Sequence, residues 1–94
     1  MYARVVRFTD VDPDRISDLL ARIDENDGPP EGVPATGLKV FHDAEQRTAV
    51  ALQLFATAED MSTGEAVLDA MDTADTPGTR VSVDRCEVKV EVEA

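Results

Sequence analysis

Few side chains in this chain have the type and spacing to do chemistry, and the best set is Arg7, Gln53 and Phe55. Alternate residues of a strand share a face, so Ala49, Ala51, Gln53 and Phe55 fall together in RTAVALQLF. The two alanines leave volume there. A hairpin pairing His42 with Arg47 would add Leu38 and Val40 to that face, and Arg7 is expected on it too. An arginine and a glutamine beside such a space would bind an anionic or carbonyl oxygen through fixed N–H donors. The plainer alternative is that Arg7 pairs with an acid on the first helix or the last strand. Arg4 lies one step out of phase, on the opposite face, where it would pair across a dimer.

Other candidates read as structural. His42 is the lone histidine, at a strand end, with no partner at metal-ligand spacing and no Ser or Cys nearby in sequence. Cys86 is the single cysteine; it cannot form an internal disulfide and is expected to act as a small buried hydrophobe. Met61 and Met71 read as core filler. No glycine-rich phosphate loop of known spacing occurs, and the carboxylates are scattered over helix faces. No metal and no cofactor is expected.

The elements that must position these residues are legible. Tyr2 to Thr9 alternates as a strand. Asp12-Pro13-Asp14 opens a helix with a cap, a first-turn proline and an acid at the positive end. Its stripe is Ile16, Leu19, Leu20 and Ile23, and it should end near Glu25 or Asn26. Asp27 to Pro34 is loop by its prolines and glycines. Thr36 to His42 is a second strand, joined to the third by a short connection that predicts an antiparallel hairpin with a four-residue loop on a type I turn. Thr48 to Phe55 is apolar at nearly every position, which predicts cover on both faces. Thr57-Ala58-Glu59-Asp60 has the form of a capping box. The second helix is expected from Ala58 to about Ala74, with Met61, Val67, Leu68 and Met71 on its stripe and Gly64 on the same side. Thr79 to Val92 is expected as a long last strand that changes its buried side part-way, at a bulge or by leaving its own sheet.

The order β-α-β-β-α-β is the ferredoxin-like pattern, α+β, with two helices on one face of a four-stranded antiparallel sheet. The 94 residues are expected to make one domain, 1–94. Twenty acids against nine bases leave a net charge of −11, which argues against nucleic acid and against an anionic membrane surface. No run approaches the roughly 20 apolar residues of a membrane span. Arginines stand where a signal peptide needs its apolar core, so a cytoplasmic protein starting at Met1 is expected.

Two helices cover one sheet face only. Thr48, Val50, Leu52 and Leu54 share one face of the third strand and Ala49, Ala51, Gln53 and Phe55 the other, so a monomer would leave one of these faces in water, a patch larger than soluble monomers expose. A two-fold homodimer through the sheets is the expected remedy, with the last strand reaching to the partner.

MYARVVRF at the start, LQLFATAEDM at the strand-to-helix junction and SVDRCEVKV near the end resemble the antibiotic biosynthesis monooxygenase superfamily of dimeric α+β barrels. The resemblance runs through nearly the whole chain. It implies a homodimer whose ligands, small and apolar or quinone-like, bind between sheet and helices of each protomer. It also implies two further possibilities, a cofactor-free monooxygenase or a dimer of purely structural or regulatory role. The haem-degrading branch uses an asparagine on strand one, a tryptophan ending strand three and a histidine on helix two. This chain has Arg7 at or near the first position, Phe55 at the second and no histidine in helix two, so haem degradation is not expected.

Overall fold

The structure is a computed structural model and describes residues 1–70 and 76–93. Tyr2–Thr9 forms the first strand, β1. Asp10 turns the chain at φ 51°, and Asp12 caps the helix Pro13–Glu25, α1, accepting from the amides of Asp14 and Arg15 at 2.9 and 3.3 Å. Pro13 at the first turn forfeits no hydrogen bond, because that amide has no helical partner. At the other end Gly28 N donates to Ile23 O at 3.0 Å and Asp27 N to Asp24 O at 3.2 Å. These two bonds make a Schellman closure, with Asp27 at φ 55° where glycine is usual.

Gly37–Asp43 (β2) and Thr48–Phe55 (β3) form the expected antiparallel hairpin. The Asp43 carboxylate organises the loop, accepting from the amides of Glu45 and Gln46 at 3.1 and 3.2 Å and from the Gln46 side chain at 2.8 Å. These donors hold its pKa below the usual value, the Gln46 amide foremost. Arg47 closes the four-residue loop at φ 56°, although no glycine or asparagine marks that position. His42 pairs with Ala49 rather than with Arg47. The shift is by two residues, so Leu38 and Val40 stay on the alanine face.

Thr57 caps Ala58–Asp69 (α2), its hydroxyl accepting from Asp60 N at 3.0 Å. The helix was expected to about Ala74; it ends at Asp69 with Ala70 as its C-cap, and Met71 lies outside the described residues. Thr79–Glu87 is β4. It stops before Val92 because β1, its partner, begins at Tyr2 opposite Glu87. One further bond, Val88 N to Met1 O at 2.9 Å, marks the limit of pairing. The register shifts between Arg7 and Phe8, which leaves Val81 as the extra residue; the shift precedes Val83, and from Val83 to Glu87 the pairing is unbroken, so it does not produce the expected change of buried side between Val83 and Cys86.

The sheet order is β2-β3-β1-β4 with every pair antiparallel, a ferredoxin-like α+β fold. Val6, Phe8 and Ala49 on the sheet pack with Val11 and with Ile16 of α1 in the main core. At the other end of the sheet Phe55 is fully buried under α2. Gly64 makes that approach possible. A Cβ there would lie 2.8 Å from Phe55 Cε1 and 3.1 Å from Val33 Cγ1, which comes from the loop after α1. Gly78 serves the same purpose below β4, where a Cβ would meet the Thr9 carbonyl oxygen at 2.5 Å.

Gly64→Ala therefore sets two terms against each other. Helix propensity favours alanine by about 1 kcal/mol, and overpacking a closed core costs about 1–3 kcal/mol. With Phe55 walled in, overpacking should win, and the melting temperature should fall by about 5 °C. An unchanged or higher value in a thermal melt would show that Phe55 has room to shift.

Candidate functional site

A cavity of about 940 Å³ lies between the inner face of the sheet and the helices. Val6, Val40 and Ala51 contribute sheet wall, Leu19 and Ile23 come from α1, and Leu68 comes from α2. Of the expected apolar stripe of α1, Leu19 and Ile23 face the cavity and Ile16 meets the core, while Leu20 is exposed. Alanine at 51 keeps the floor low, as its size suggested.

Three arginines are among the described residues that line the cavity, and the one buried in its wall is Arg4. Arg4 stands directly opposite Gln53 in the β1–β3 pairing and is 3% exposed. Its Nη1 donates to Gln53 Oε1 at 3.3 Å and its Nη2 to Asp69 Oδ1 at 3.3 Å. Its Nε is buried and has no partner among the described residues. Desolvation lowers its pKa; Asp69 and then Glu65 oppose that shift. A guanidinium remains charged at any working pH all the same, so Arg4 binds and orients but does not exchange protons.

Asp69 ends α2 and is about half exposed. The same Oδ1 that meets Arg4 also accepts from Arg80 Nη1 at 3.1 Å. Nearby, Arg85 of β4 clasps Glu65 of α2: Nε donates to both carboxylate oxygens at 2.8 and 2.6 Å, and Nη2 donates to Oε1 as well. That clasp holds the Glu65 carboxyl below its ordinary range, and the Glu65 carboxylate raises Arg85 in return.

The three candidate residues separate in the structure. Gln53 lines the cavity. Phe55 shares its face but is sealed beneath Gly64, so it forms core beside the cavity and not its wall. Arg7 is opposite Val50 and exposed, on the outer face with Leu52 and Leu54. The expectation that Arg7 joins Gln53 is therefore corrected, and so is the expectation that Arg4 lies outward to pair across a dimer. The physical reason is phase: opposed residues of an antiparallel pair share a face, and the observed register opposes Arg4, not Arg7, to the Gln53 set. The sequence did carry a signal, since Tyr2, Arg4, Val6 and Phe8 are the more apolar half of β1.

His42 is exposed on edge strand β2, and Cys86 is exposed on β4 instead of buried. Among the described residues no group of three or more His, Cys, Asp or Glu side chains is placed to hold a metal ion, and no helix is long and apolar enough to cross a membrane.

The Glu65–Arg85 clasp makes stability depend on pH with a definite sign. The folded-state pKa of Glu65 lies below the ordinary 4.5, so the clasp contributes fully above that value and is lost as pH falls through the folded pKa. Arg85 is half exposed, so the effect is screened and modest. Glu65→Gln should lower the melting temperature by roughly 2–4 °C at pH 7, and the gap to wild type should narrow as pH falls below 4.5 and close once it is below the folded pKa.

No protein-family model and no curated protein matches the chain. Among solved structures it is similar to that of Rv0793 from Mycobacterium tuberculosis, at 16% sequence identity and a TM-score of 0.65, with 98% of each chain covered. At that identity the likeness extends to the fold alone, and the two chains share the ferredoxin-like α+β arrangement over their whole length.

Proposed function

We propose that this chain binds a small, largely apolar, oxygen-bearing organic ligand of quinone-like shape in the cavity between sheet and helices. One observation carries the reading: a buried guanidinium, with an N–H that no described residue accepts, stands beside the apolar part of the cavity wall. Burying a charge with incomplete pairing is costly, and a protein keeps such an arrangement where the donor has a task. Arg4 with the Gln53 amide offers a planar set of donors to a ligand oxygen, while Leu19, Ile23, Val40 and Leu68 accept its body. The resemblance of the chain to the antibiotic biosynthesis monooxygenase superfamily supports the same location. Haem degradation has no place in this reading, because α2 offers no histidine and Phe55 stands outside the cavity wall.

The test is calorimetric titration of 1,4-naphthoquinone and 2-naphthol into wild type, Ala51→Phe and Arg4→Met. Wild type should bind at least one of them. Ala51→Phe should abolish binding by filling the floor, and Arg4→Met should weaken it about tenfold or more while circular dichroism stays native. Binding that survives Ala51→Phe would place the ligand elsewhere.

The protein is further proposed to work as a homodimer joined through the outer sheet faces. Val5, Val50, Leu52 and Leu54 form a contiguous apolar surface there, and Phe41 beside Val50 is 53% exposed. Sedimentation at micromolar concentration should give about twice the chain mass, and Leu52→Arg should halve it. A monomer in wild type would overturn the assignment.

A further inference from the structure

We infer that the ligand of this cavity is an organic anion, and that Asp69 competes with the anionic group for Arg4. The inference rests on the reading that the cavity takes a ligand, and it names the ligand's charge and the residue that tunes its affinity.

The geometry of Arg4 is the first support. Ion pairs of guanidinium and carboxylate settle near 2.7–2.9 Å, roughly, when the partners are free to close. The surface pair Arg85–Glu65 does so, with Nε donating at 2.8 and 2.6 Å. Arg4 needs its partner more, because it is 3% exposed, yet among the described residues both of its bonds are 3.3 Å and its Nε has none. The buried guanidinium is therefore paired less closely than the Arg85–Glu65 pair. A neutral ligand leaves that deficit standing. A carboxylate on the cavity side supplies a two-oxygen acceptor that matches the guanidinium fork.

Asp69 is the second. Its Oδ1 is shared between Arg4 Nη2 at 3.3 Å and Arg80 Nη1 at 3.1 Å. It sits at the last residue of α2, about half exposed. Yielding Arg4 to a ligand anion leaves its contact with Arg80 in place and buries no new charge. Asp69 therefore neutralises Arg4 loosely and gives way at little cost.

The charge pattern is the third. Among the described residues that line the cavity, Arg4 and Arg80 share a single carboxylate oxygen, Asp69 Oδ1. That sharing of one acid by two cations occurs in a chain of net charge −11. The acidic exterior repels anions in general, so the selectivity is local and short-ranged. With the apolar walls, the fitting ligand is a planar apolar body that carries one acidic group.

The test compares 2-naphthoate with its neutral isostere 2-naphthamide by fluorescence titration at pH 7. Wild type should prefer the naphthoate, and Arg4→Met should erase the preference. Asp69→Asn keeps an acceptor beside Arg4 but removes the competing charge, so it should tighten naphthoate about tenfold and change naphthamide less than about twofold. Asp10→Asn removes an equal charge from the same cavity without touching Arg4, and should have a clearly smaller effect. Equal effects of the two substitutions, or no gain from Asp69→Asn, would overturn the competition. Equal binding of both probes to wild type would overturn the anion assignment and leave the cavity reading standing. Failure of both probes to bind wild type and Asp69→Asn would overturn the cavity reading, and this inference with it. Should Asp69→Asn not fold, the wild-type protein decides: the Arg4 Nε–H resonance, assigned by its loss in Arg4→Met, must move with naphthoate and stay still with naphthamide. A resonance that ignores naphthoate overturns the proposal.

Discussion

In an antiparallel pair, directly opposed residues lie on the same face, so one register decides the company of every side chain on both strands. Between β1 and β3 that register opposes Arg4 to Gln53, Val6 to Ala51 and Phe8 to Ala49. These strands are the two central members of the sheet, and the other two follow from them. The same choice puts Val5, Arg7, Val50 and Leu52 on the outer face. A slip by one residue would exchange the contents of the two faces. The buried guanidinium would then leave the cavity wall, and the core would lose Val6 and Phe8.

What covers the inner face is uneven, and that is why a cavity exists. Phe55 is sealed by Gly64, where the missing side chain lets α2 descend onto the sheet. Ile16 anchors α1 at the opposite end, near Phe8 and Val11. Between these two anchor points the floor is set low by Ala51, and Leu19, Ile23 and Leu68 reach toward it from the helices. The loop hydrogen bonds at Val11, Asp12 and Pro77 brace the rim, with Asp12 N donating to Pro77 O at 3.0 Å.

The electrostatics divide along the same line. On edge strand β4, the half-exposed Arg85 reaches a close, two-oxygen pairing with Glu65 of α2. Inside, Arg4 is held by its strand and Asp69 by the end of its helix, so the pair stays long. Backbone placement limits the inner pair, and solvent weakens the outer one although its contacts are shorter.

The element order, both helix caps and the hairpin were determined by the sequence itself, because each depends on neighbours in the chain. Asp12 and Thr57 reach amides two or three residues on, and the apolar stripe of α1 repeats within a few turns. Gln53 and the low alanine floor were also legible, from period-two alternation on a single strand. Alternation does not say which face of one strand meets which face of another. That phase is fixed by pairing between residues nearly fifty positions apart, and it exchanged the roles expected of Arg4 and Arg7. Asp69 had no local signal for the same reason: its partner lies 65 residues away, across the gap between helix and sheet. Phe55 was read onto the right face, but only the descent of Gly64 decided that it would be core and not cavity wall. Local chemistry set the elements, and the long-range register of β1 on β3, together with the height of α2 above it, set the site.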